Sequence, residues 1–133
     1  MKKRILTIVS LVLIVAMCTV IFASCIPSKY ENAEKKLEKE GYTIILSGGK
    51  DDATTKTQSA LFRAANSEMQ GNLVGYVSAI NNDGEACTIY YFSKASDATL
   101  IYKQLKEDAD EDTVVKKSGK AVFTGTKQAW KDL

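Results

Sequence analysis

The stretch LVGYVSAINNDGEACTIYYF, residues 73–92, decides the fold class. Leu73 to Ile80 and Glu85 to Phe92 are rich in β-branched and aromatic residues. Between them, Asn81-Asn82-Asp83-Gly84 supplies the residue types that tolerate the positive φ of a tight reversal. The sequence therefore predicts an antiparallel hairpin. Its strands are apolar on both faces: Cys87, Ile89 and Tyr91 alternate with Thr88, Tyr90 and Phe92, while Val74 and Tyr76 fill positions in the partner run. Such a sheet needs two covers. Helices supply one; the N-terminal or C-terminal helix, a second copy, a protein partner or a ligand supplies the other.

Downstream, Ser93 or Ser96 can cap a helix whose positions Ala98, Ile101, Tyr102, Leu105 and Ala109 keep helical spacing. Thr113 to Lys117 and Ala121 to Thr124 read as strands around Ser118-Gly119-Lys120, and Thr126 can cap a last turn carrying Ala129 and Trp130. Upstream, Leu61, Ala64, Ala65 and Met69 predict a helix from about Thr57 to Gln70. Ser47 to Thr57 reads as a polar loop and Tyr42 to Leu46 as a short strand. Ser28 with Glu31 three residues later forms a capping box for a helix running to Glu40, with Tyr30, Ala33 and Leu37 on its narrow apolar stripe and Gly41 as its stop. Beyond that first helix, the order strand, helix, strand, strand, helix, strand, strand predicts an α+β domain. The expected architecture is the ferredoxin-like split βαβ antiparallel sheet with helices on one face, five-stranded if the last two strands pair. A cystatin-like or other helix-on-sheet layer is the alternative.

The N-terminus is of another kind. Lys2, Lys3 and Arg4 precede an uncharged apolar run from Ile5 to Ala23, the pattern of an export signal or a membrane span. Basic residues stay on the cytoplasmic side, so the chain beyond Cys25 is expected outside the cytoplasm. Phe22-Ala23-Ser24-Cys25 resembles the lipobox of bacterial lipoproteins, in which small residues precede a cysteine that is lipidated and becomes the mature N-terminus. Cys18, after Met17, fits that pattern less well. The resemblance covers the leader alone and implies residues 1–24 as signal peptide, Cys25 as lipid attachment site and 25–133 as one extracytoplasmic domain. The alternative is an uncleaved signal anchor, since the run at about 1.5 Å per residue reaches about 28 Å, close to the hydrocarbon thickness. Both endings tether the domain to the cell membrane.

The leader also carries the apparent basicity. The chain has 18 Lys and Arg against 16 Asp and Glu, and three of the 18 lie before Ile5. The exported part is nearly neutral, which gives no electrostatic case for nucleic acid. With Cys18 in the leader and Cys25 at the anchor, Cys87 has no obvious partner for a disulfide and reads as a small buried hydrophobe.

There is no histidine, which removes the usual general base near neutral pH and the commonest metal ligand. No enzyme and no cofactor are expected. Ser47-Gly48-Gly49-Lys50 lacks the spacing of a phosphate loop and reads as a flexible loop. The carboxylates of Glu107 to Asp112 lack the Gly and bidentate Glu of a calcium loop and read as a solvated helix end that frays, being at the unfavourable end of the dipole. The expectation is a membrane-tethered, non-enzymatic envelope domain that binds another protein or a cell-envelope component; its two-sided sheet reads first as plain core, with Tyr76, Tyr90 and Phe92 as the candidate interaction surface should one face be exposed. The alternatives are a lipoprotein that binds a small ligand or Ca²⁺ through 47–57 or 108–112, and a single-pass membrane protein with an outer interaction domain.

Overall fold

The computed structural model describes residues 25–133, and the leader with Cys18 lies outside the described residues. In chain order the elements are α1 (Tyr30–Lys39), β1 (Thr43–Gly49), α2 (Ala53–Ala65), β2 (Leu73–Ile80), β3 (Ala86–Phe92), α3 (Ala95–Asp108), β4 (Thr113–Ser118), β5 (Ala121–Thr126) and α4 (Lys127–Asp132). The five strands form one sheet in the order β1-β2-β3-β5-β4, every neighbouring pair antiparallel. The class is α+β, as the order of elements predicts.

A ferredoxin-like split βαβ is not confirmed. That motif separates two parallel strands by a third, whereas here α2 returns the chain so that β2 lies directly beside β1 and antiparallel to it. The helices also lie on both faces. Ala33 and Leu37 of α1, with Ala129 and Leu133 from the C-terminal end, pack on Val77, Ala79, Cys87, Ile89 and Phe123. On the opposite face, Phe62 of α2 and Ala98, Ile101 and Leu105 of α3 pack on Tyr76, Phe92 and Val122. The two-sided apolarity of residues 73–92 is thereby satisfied within the chain.

The hairpin forms where the sequence places it. Asn81 Oδ1 accepts from the amides of Asp83 and Glu85, and Gly84 takes φ +83°. At the end of α1, Gly41 takes φ +90° while its amide donates to Glu38 O and that of Tyr42 donates to Leu37 O, the paired bonds of a Schellman stop. Thr126 caps α4 by accepting from Ala129 N.

Three local expectations change. The capping box is not formed, since α1 starts at Tyr30 after Lys29, which contributes no side-chain cap. Likewise α3 starts after Lys94 without a side-chain cap, Ser93 lying one residue before the cap position, where its hydroxyl accepts from Asn72 N. The α2 helix begins four residues early, with Asp52 capping Thr54 and Thr55. Its buried face is Thr55 and Ser59 with Phe62 beside them, so Leu61 faces outward at 59% exposure. Most of the polar loop disappears in consequence: Ser47, Gly48 and Gly49 continue β1 and pair with Val77, Tyr76 and Gly75.

The register gives the sheet two distinct ends. Gly49, Gly75, Phe92, Ala121 and Ser118 lie at one, and Thr43, Ile80, Ala86, Gly125 and Thr113 toward the other. The chain enters at the first, where the Tyr30 ring lies over Gly49 and Gly75.

Candidate functional site

Cys25 is exposed, and the next residue is already core: Ile26 retains 6% exposure within the cluster that holds Leu37 and Tyr91. Pro27 is held as well, its carbonyl accepting from the Tyr91 hydroxyl at 2.8 Å. Burial pushes the Tyr91 phenol above the usual tyrosine range, so it stays protonated and able to donate through neutral pH. The folded domain thus begins one residue after the predicted lipid site.

Beside this entry lies an open groove of about 660 Å³ lined by Lys50, Lys56 and Arg63, with Ser59, Asn72 and Ser93 adding polar groups and Asp51 the one carboxylate of its lining. Each part is fixed by a local cause. The short turn after β1 presents Lys50 and Asp51, while successive turns of α2 present Lys56, Ser59 and Arg63. Asn72 anchors the rim: its Oδ1 accepts from Arg63 Nη1 at 2.8 Å, its amide donates to Ser93 Oγ at 3.0 Å, and its carbonyl accepts from Ser93 N at 2.9 Å. Ser59 Oγ accepts from Leu73 N. Buried Asp97, at the start of α3, accepts from the amides of Gln70 and Gly71 at 2.9 and 2.7 Å and so fixes the segment leading into Asn72. A second concavity of about 320 Å³, lined by Ser28, Lys29, Glu31, Tyr91 and Lys120 among others, shares Val74 and Ser93 with the groove. Both concavities therefore reach the end of the sheet where the chain enters.

The groove draws on residues that the sequence reading treated as unrelated. Lys50 and Lys56 belong to the stretch read as a loop, but Arg63 and Asn72 gave no signal, because their approach depends on the path from α2 into β2.

The aromatic sheet face is covered. Tyr76 and Phe92 are 5% and 1% exposed and Tyr90 is half-buried, all beneath α2 and α3, with Phe62 edge-on to Tyr90 at 5.0 Å between ring centroids. As folded, this face is an interior layer and offers no open stacking surface. Burial raises the Tyr90 phenol, with Tyr76 adding to the effect. Cys87 is buried as read, and burial alone pushes its thiol up to about 12, which suits packing and not nucleophilic chemistry.

At the acidic run, α3 ends at Asp108, and Asp110 turns its carboxylate inward on the backbone, accepting from Asp112 N and Thr113 Oγ1. Those bonds, that of Thr113 foremost, hold the Asp110 carboxyl below its ordinary range. Among the described residues no group of three or more Cys, Asp or Glu is placed to hold a metal ion. Nor is any described helix long and apolar enough to cross a membrane. No family model matches the chain, and neither a curated protein nor a solved structure matches it.

Proposed function

We propose that this chain is a membrane-tethered extracytoplasmic lipoprotein whose folded part is a non-enzymatic binding domain of the cell envelope. The observation that carries the reading is the junction: an exposed Cys25 followed at once by buried Ile26 and hydrogen-bonded Pro27. A lipid on Cys25 would hold the domain against the bilayer with almost no linker, so the anchor would fix its height and its facing. The absence of histidine and the inert setting of Cys87 support binding over catalysis.

A second reading, a lipoprotein that takes a small ligand, is favoured by the groove of Lys50, Lys56 and Arg63, which suits an anion better than a cation. The acidic run gives the Ca²⁺ version no comparable support.

Fractionation with external protease tests the tethered reading. The full chain should sediment with membranes, resist extraction by high salt, and lose its domain to protease added outside intact cells. A chain recovered in the soluble cytoplasmic fraction overturns it.

A further inference from the structure

The connections at the two ends of the sheet carry opposite charge. At the entry end, residues 25–29, 50–52, 66–72, 93–94 and 119–120 hold Lys29, Lys50, Lys94 and Lys120 against Asp51, Asp52 and Glu68, and Asp52 is committed to capping α2. The groove adds Lys56 and Arg63 to this end. At the far end, residues 40–42, 81–85, 109–112 and 127 hold Glu40, Asp83, Glu85, Asp110, Glu111 and Asp112 against Lys127. The connections of a nearly neutral domain are therefore polarised along its strands, net positive at the end where Cys25 enters and acidic at the other.

We propose that the entry end is a docking face for anionic phospholipid, with headgroup phosphates seated in the groove by Lys50, Lys56 and Arg63. The proposed tether and two observations select this occupant. The tether leaves only Cys25 between membrane and core, so this end meets the headgroups before any other partner can. Its charge is complementary to a surface bearing anionic lipid, while the acidic far end is repelled and directed outward. The groove also lies at the end where the chain enters and shares Val74 and Ser93 with the concavity lined by Ser28 and Lys120. The Arg63 guanidinium, already oriented by Asn72, has donors left for a phosphate, and Lys50 and Lys56 are exposed to complete the site. The lipid would act on the domain's orientation: one end is held down, and the β1 and β4 edges with the far-end turns are presented outward.

This inference rests on the tethered reading but not on which ending the leader takes, because a lipid on Cys25 and a span ending at Ala23 hold the same end. The test uses the full chain, purified from membranes, its mass measured for lipid, and reconstituted in bilayers of phosphatidylcholine alone or with about 30% phosphatidylglycerol. Amine labelling with mass-spectrometric readout then compares Lys29, Lys50, Lys94 and Lys120 with Lys39, Lys127 and Lys131. The expected result is that anionic lipid slows labelling of the first group about threefold or more relative to the second, and that about 1 M salt removes the difference. A Lys50→Glu/Lys56→Glu/Arg63→Glu variant changes only exposed side chains and should lose the protection while keeping its fold by circular dichroism. Equal labelling of both groups in a bilayer-held chain overturns the docking face and leaves the tether standing. Protection that persists in the triple variant overturns the assignment of the groove. Protection in the neutral bilayer alone overturns the choice of anionic lipid. A chain that neither carries lipid nor associates with membranes overturns the tether itself.

Discussion

The Tyr91 hydroxyl donates to the Pro27 carbonyl across 2.8 Å, tying the central strand β3 to a residue two positions after Cys25. The bond, with buried Ile26, converts what could have been a flexible stalk into the first part of the core. Tyr91→Phe keeps the ring and removes the bond. It should cost about 1 kcal/mol of stability and speed amide exchange at residues 26–30 more than in β2 or β5. An unchanged exchange rate at 26–30 would show that the bond does not hold the entry in place.

Asp97 is a buried carboxylate whose partners are the amides of Gln70 and Gly71. Asp97→Ala leaves two amides without an acceptor and should destabilise by about 3 kcal/mol, whereas Asp97→Asn, which can still accept one bond, should lose less. Chemical denaturation of both variants checks the order. Equal losses would place the effect in volume, not in the amide bonds.

Thr55 presents the opposite case. Its hydroxyl is fully buried in α2 with no hydrogen-bond partner. Thr55→Val keeps the shape and removes the unsatisfied oxygen, so it should be neutral or raise stability by about 1 kcal/mol. A loss beyond about 1 kcal/mol in urea melts would mean that the hydroxyl is satisfied in solution.

Stability should fall at alkaline pH. Burial pushes Cys87 from 9.0 up to about 12 and raises Tyr91 above the usual tyrosine range; Tyr42 is raised by burial and by its 2.7 Å bond to Asp132. Each group binds its proton more tightly when folded, so its contribution is complete below the unfolded values and is lost as pH rises through the folded ones. The denaturation midpoint should therefore stay level from about pH 7 to 8.5 and decline above about pH 9. A midpoint that holds steady to about pH 11 would contradict the burial of these groups.

The parts of the fold that were legible in the sequence are those set by local chemistry. The 73–92 hairpin, the Gly41 stop and the Thr126 cap each depend on a few adjacent residues, and each forms. The order of the strands was not legible, because whether β2 returns beside β1 depends on how α2 lies across the sheet, and no spacing encodes that. The α2 face failed for a related reason: Leu61 is the larger hydrophobe, but Asp52 starts the helix early and Thr55 and Ser59 turn inward with Phe62. The aromatic face was legible as a surface that needs a cover, most simply as plain core, but not which elements supply it; α2 and α3 close it over Tyr76, Tyr90 and Phe92. Of the candidate site, Cys25 and the lysines near Gly49 were visible, whereas Arg63, Asn72 and Asp97 come together through contacts between α2, α3 and the start of β2.

The central claim is the tether at Cys25, and the intact mass of the protein extracted from membranes tests it most directly, with a Cys25→Ala variant measured beside it. The account predicts a species that begins at Cys25 and carries a diacylglycerol-sized increment, absent from the variant. A full-length mass, unmodified and unaffected by the substitution, would contradict it.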